Sequence, residues 1–228
     1  MSLSQAPTMS DTARRLGAYA WISQRLFEVL GALASPAQLV EPAPSEPAPS
    51  EPAPDEPAPD EPLSGEERCQ IAMMCGAHAH HHAWHAELWR QRVPLIGGQD
   101  IATFVAPPSA GAAQVMDQLG GPRSLVVVYR VVVPRMLVMY DAHLLAARVA
   151  ADGPVIRTLD LVIADLVRDW REGEAMVQSS LLKTPHGVRA AARRLADCEA
   201  FWVQHGSAPN AAPNAAPNAG AAGRGRGA

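Results

Sequence analysis

A chain of 228 residues, 48% hydrophobic but only 5% aromatic, is long enough for one well-buried domain with tails. Its net charge of −4 is unevenly spread: seven acidic residues lie in 41–62 with no base, so the remainder is slightly basic and lacks the basic stripe of a nucleic-acid binder. An odd count of three cysteines excludes a complete disulfide framework, and no signal peptide or bilayer-spanning run is visible, so a soluble cytoplasmic protein with reduced thiols and no membrane contact is expected.

Residues 1–10 are polar and expected to be loose. From Asp11 a helical pattern runs to about Ala34, with Ser10 or Asp11 as cap, and stops before Pro36. Leu16, Ala20, Ser23, Phe27, Leu30 and Leu33 share one face, and Glu28 sits at its edge. Residues 41–62 repeat Glu-Pro-Ala-Pro, followed in turn by Ser45, Ser50, Asp55 and Asp60. Alternate prolines forbid a helix and like charges extend the chain. Within an insert at 36–63, the stretch 41–62 therefore reads as an acidic polyproline-II-type linker, favoured as a tandem-repeat expansion in a solvated surface loop, with a spacer that binds a protein partner as the alternative.

Ser64 and Glu67 form the capping-box pattern that opens a second helix, which ends near Arg92, before Pro94. This helix holds five of the eight histidines. Helical spacing puts Ile71, Cys75, His78, His82, His85 and Trp89 on one stripe, with apolar residues at its ends and imidazoles in the middle. Residues 94–123 are a long connection with a short helix expected between Ser109 and Leu119. Val126 to Val133 has strand propensity, yet Tyr129, Val133, Met136, Tyr140, His143 and Ala147 keep helical spacing through Pro134, and no second strand pattern exists to pair with it. The stretch 124–151 is accordingly read as a kinked helix. Asp152-Gly153-Pro154 is a tight turn into a fourth helix over about 154–182, with Ile156, Asp160, Ile163, Val167, Trp170, Glu174, Val177 and Leu181 on one face. Arg157, Asp165, Arg168 and Glu172 lie away from that face. Thr184-Pro185 starts a fifth helix to His205, with Val188, Ala191, Leu195, Cys198 and Trp202 inward. Residues 206–228 are an Ala/Pro/Asn/Gly-rich tail, disordered by composition. One helical domain over 11–205 follows.

Two helices, a long crossing connection and two more tightly joined helices resemble the ferritin-like four-helix bundle, here with an added C-terminal fifth helix. The resemblance covers about residues 11–182 and extends to bacterial ferritin-like proteins of unassigned activity. It implies an all-α fold and an interior metal site supplied by Glu28, His82-x-x-His85, Tyr140-x-x-His143, and Asp160 with Glu174. No Glu-x-x-His motif occurs in this chain, so the implied set is richer in nitrogen than a di-iron carboxylate centre. Such a set suits zinc, copper or nickel, or iron with fewer carboxylates.

Geometry limits the stripe itself. Cys75 to His85 spans ten residues, about 15 Å of helix, so one ion can be shared by His78 and His82 or by His82 and His85, but not by all. The partners for either pair are Glu28, His143, Asp160 and Glu174, with Tyr129 and Tyr140 as hydrogen-bonding neighbours. Two readings stand side by side. One is a transition-metal site, oxidoreductase-like by resemblance. The other is a metal-free helical scaffold whose buried His/acid network is structural. Neither names a substrate, and no Gly-rich phosphate loop or Gly-x-Ser-x-Gly elbow is present. Partners and a homo-oligomeric state are open on either reading.

Overall fold

A computed structural model describes residues 7–39 and 62–205; the acidic repeat, the tail and residues 1–6 lie outside the described residues. Every regular element among the described residues is helical, and no strand occurs. None of these helices is long and apolar enough to cross a membrane.

Helix α1 (Met9–Leu33) begins slightly earlier than the cap residues predict. Thr8 is the cap: its Oγ1 accepts from the Asp11 N–H at 3.1 Å while the Asp11 carboxylate accepts from the Thr8 N–H. Helix α2 (Gly65–Arg90) opens on the expected box, in which Ser64 Oγ accepts from Glu67 N–H at 3.2 Å and Glu67 Oε2 accepts from Ser64 N–H at 2.9 Å. Lys183 also pairs with Glu67, which ties this start to the far end of the chain. Replacing Ser64 with Ala removes one partner of an orphan helix N–H and should lower the unfolding free energy by about 1 kcal/mol, with Ser64→Gly costing only a few tenths. Urea denaturation of the two variants checks this.

Helices α1 and α2 run antiparallel along each other, with Tyr19 against Trp89 at one end and Ala34 beside Gly76 at the other. The connection after α2 is pressed onto α1. Gly17 faces the Phe104 carbonyl so closely that a Cβ would overlap it, and Arg25 pairs with Asp117 at 2.8 Å. Asp117 ends α3 (Ala110–Asp117), the short helix foreseen in this stretch, capped by Ser109.

The valine run is helical and almost entirely buried. It consists of α4 (Ser124–Val127), a π-helical turn Val128–Val132, and α5 (Val133–Ala146). Pro134 explains the widened turn: it offers no N–H and its ring clashes with the carbonyl one turn back. The chain reverses at Ala147–Arg148, where the backbone is extended, rather than at Asp152-Gly153-Pro154. Those three residues instead make a kink, at Asp152 (φ −110°, ψ 15°), inside α6 (Val149–Met176). A second π turn, Val177–Leu181, precedes α7 (Pro185–His205).

Helix α6 packs on α5 and on α2, and α7 packs on α3 and α4. Its buried stripe is Leu159, Val162, Leu166, Asp169, Gly173 and Val177. The sequence pattern places the face one residue later, a rotation of about 100°. Ile163 and Val167 make the neighbouring stripe look apolar, while a carboxylate and a glycine in the middle of the real one disguise it. In α1 the expected face is buried at Leu16, Ala20, Ser23, Leu30 and Leu33, and only Phe27, 38% exposed, departs from it, with Leu26 and Val29 buried beside it. In α7, Ala191, Cys198 and Trp202 are buried as expected but Val188 is half-exposed.

Candidate functional site

The histidine stripe of α2 points inward: His78, His82 and His85 are all at most 1% exposed. His81, one turn from His78 and His85, lies at the edge of the same seam. Facing them is α6, antiparallel, with three carboxylates in matching register. His78 Nε2 stands 3.1 Å from Glu172 Oε2, His81 Nδ1 stands 3.0 Å from both Asp169 oxygens, and His85 Nε2 stands 3.1 Å from Asp165 Oδ2. The register continues to Arg92, whose Nε donates to Thr158 Oγ1 at 3.1 Å. Two antiparallel helices meet in this way when one carries polar groups at i, i+3, i+7 and the other at i, i+4, i+7.

The bonding pattern fixes the imidazole tautomers. A carboxylate only accepts, so His78 Nε2–H donates to Glu172, and His78 Nδ1 accepts from the Tyr129 hydroxyl at 2.7 Å. His81 donates through Nδ1–H and His85 through Nε2–H. Asp169, 1% exposed, is the centre of the seam: besides His81 it has His78 Nε2 at 3.6 Å. Glu172 is more than half exposed, so the chain Tyr129–His78–Glu172 links a buried phenol to solvent. Burial holds the Tyr129 hydroxyl well above the usual phenol range, so it remains a donor.

Tyr129 is positioned by two features. A π-type bond from its carbonyl would end on Pro134, which has no N–H, and the Trp170 indole N–H takes that carbonyl instead at 2.9 Å. Its ring lies flat against Gly173, where a Cβ would overlap three ring carbons. Trp170, placed on the packing face by the sequence pattern, serves as this tie.

His82 has no carboxylate. Its Nδ1 is buried without a partner, and burial, reinforced by the surrounding imidazoles, holds its pKa well below the ordinary value. Burial also lowers His85, with Asp165 opposing. Both rings are therefore neutral at pH 7. Cys75, on the same stripe, is a buried thiol that burial pushes up to about 12, so it is no nucleophile at neutral pH.

The structure does not bring the expected partners to this stripe. Glu28 is exposed and pairs with Arg25 and Gln24. Asp160 is exposed on α6. Glu174 is held by Arg130 at 2.6 and 3.0 Å, and that guanidinium keeps its carboxyl below the usual range. His143 lies beside Tyr19, its pKa lowered to about 4, chiefly by burial. Tyr140 packs against Tyr19 and Trp89, and of the two tyrosines only Tyr129 bonds a stripe histidine. The acids that do meet the histidines, Asp165, Asp169 and Glu172, together with His81, escaped the sequence pattern. Their signal was present in the complementary spacing of the two helices, but it becomes visible only when α2 and α6 are known to be neighbours.

Among the described residues, no group of three or more His, Cys, Asp or Glu is gathered as a metal ion's ligands would be. The imidazoles and carboxylates here are bonded directly to one another. No family model, curated protein or solved structure matches the chain.

Proposed function

We propose that this chain is a ferritin-like helical bundle acting as a metal-free scaffold, in which the α2–α6 seam locks two helix pairs in register. The bundle reading is supported by the order of packing: α1 on α2, a long link, α5 on α6, and α2 against α6. The observation that carries the structural role is the run of three direct imidazole–carboxylate bonds at 3.0 to 3.1 Å. Directional bonds of this kind permit one axial register, whereas a purely apolar seam tolerates sliding by a turn. The acidic repeat would then be the segment offered to a protein partner.

A pH series tests the enclosure of the imidazoles behind the seam. His82 takes up a proton near pH 6.5 when unfolded but resists it when folded. Its contribution to stability is therefore complete above pH 6.5 and is lost as the pH falls. Stability should therefore fall steadily as the pH is lowered below about 6.5. His143 adds to the loss over the window from about 6.5 to about 4. Urea unfolding at pH 7, 6 and 5 should show the fall, and His82→Leu should flatten it. Unchanged stability across that range contradicts the reading.

A second reading, a divalent transition metal held at the same place, rests on one observation. His78 Nε2, His81 Nδ1, Asp169 Oδ1 and Glu172 Oε2 are linked by separations of 3.0 to 3.6 Å. These are three of the six ligand–ligand edges of a tetrahedral zinc site, and the four groups are not gathered as an ion's ligands would be, so binding an ion requires them to move. These four residues would hold the ion, and it would supply Lewis acidity there; loading it costs their present hydrogen bonds. Elemental analysis of untagged protein decides. Stoichiometric metal that disappears in an Asp169→Ala, His81→Ala double variant favours this reading. Metal-free protein whose melting temperature ignores a chelator favours the first.

A further inference from the structure

At the opposite end of the bundle from Arg92 and Thr158, the chain encloses a cavity of about 180 Å³ that the seam does not use. Leu39, Leu63, Val126, Leu181 and Ala191 give it an apolar floor. Its rim is cationic: Arg68, Arg123, Lys183 and Arg194 line it, and no acidic residue does so among the described residues. Lys183 is paired with Glu67. Among the described residues, Arg68 and Arg194 are not matched by a carboxylate. Arg68 Nη1 donates to the Leu63 carbonyl at 2.8 Å. Arg194 Nη2 donates to the Gln118 carbonyl at 3.1 Å and to Ser124 Oγ at 3.2 Å, and its buried Nε has no partner. Two guanidinium groups held in place by neutral oxygens keep their charge available for an anion. The start of α7 adds to this field. Thr184 and Gly187 line the cavity, and Thr184 Oγ1 caps the helix by accepting from Gly187 N–H at 3.0 Å. The positive end of a 21-residue helix thus opens at the same rim.

We propose that this cavity binds a small organic carboxylate with a compact apolar body. The volume suits a body of about the size of benzene, which fills a dry cavity of roughly 150 Å³. The head group follows from the donors that remain. Arg68 and Arg194 spend only a few of their N–H groups on two carbonyls and a hydroxyl, and each planar fork that remains matches the paired oxygens of a carboxylate. The apolar floor favours a carboxylate with an apolar body over acetate, which offers the same head group but little surface to bury there.

Calorimetric titration of the full chain tests this with phenylacetate, benzyl alcohol, acetate and inorganic phosphate as probes. Phenylacetate should bind saturably, at least tenfold tighter than each of the other three, and more weakly as salt is raised. Arg194→Gln should weaken it about tenfold. Because Arg194 also ties α7 to the preceding connection, Arg68→Gln, which touches only the Leu63 carbonyl, is the second variant, and Ala190→Leu, which fills the cavity, is the third. Each should reduce binding while the melting curve stays cooperative. The acidic repeat leaves and re-enters the described chain at this rim, so the titrations are repeated on a chain with its seven acids at 41–61 changed to Gln or Asn. Binding to that chain alone also supports the site, with the repeat as a competitor. No binding to either chain, equal affinity for benzyl alcohol, phosphate as tight as phenylacetate, or indifference to all three variants would overturn the proposal.

Discussion

Asp169→Ala should lower the unfolding free energy by about 2–4 kcal/mol, the largest loss expected from any single seam residue. The carboxylate is buried, accepts from His81 Nδ1–H with both oxygens at 3.0 Å, and sits 3.6 Å from His78 Nε2. Removing it leaves a partly buried imidazole donor with no acceptor and opens a void in the centre of the α2–α6 contact. Asp169→Asn keeps the shape and one acceptor and should cost less. A double-mutant cycle with His81→Ala, read by equilibrium denaturation, should return a coupling of about 1–3 kcal/mol. A coupling near zero would mean that the two side chains merely stand close together.

Gly173→Ala should destabilise by about 1–3 kcal/mol although it adds one methyl group to a helix, where alanine is ordinarily favoured. The reason is the Tyr129 ring, 1% exposed, which occupies the space a Cβ would need. The ring cannot simply swing away, because its hydroxyl is bonded to His78 and its backbone carbonyl to Trp170. Tyr129→Leu in the same chain should recover part of the loss, since a smaller side chain vacates the place. The combination should therefore cost less than the two single changes added together. Thermal unfolding of the three variants makes the comparison, and an additive result would show that Gly173 and Tyr129 do not compete for space.

The helices themselves were largely legible from local signals. Ser64 with Glu67, Ser109, and Thr184-Pro185 each mark a start that α2, α3 and α7 adopt, because a cap is a contact between residues three apart and needs no distant partner. The inward histidines were legible too, since their spacing on α2 is fixed by helix geometry. So was the face of α1, apart from Phe27, but the face of α6 was not. Asp169 and Gly173 look like surface or turn residues until Tyr129 and His81 are placed opposite them, so the apolar pattern drifted to Ile163 and Val167. The break at Asp152-Gly153-Pro154 was legible as well, since Asp152 leaves helical geometry there and Pro154 opens the segment that follows; the short turn from Val149 that precedes it was not.

Composition and periodicity alone thus determined that the elements of the described residues are helical and that His78, His82 and His85 are enclosed, because both follow from repeats of three and four residues along a helix. Only the tertiary structure decided what those imidazoles meet. Asp160 and Glu174 are carboxylates on the same helix as Asp165, Asp169 and Glu172, and the choice between the two sets rests on the rotation of α6 about its own axis. A helix settles that rotation by fitting all its neighbours at once, through Tyr129 on Gly173, Trp170 on a carbonyl that Pro134 leaves open, and Arg130 drawing Glu174 aside. Those contacts join residues more than forty positions apart, and no local pattern contains them.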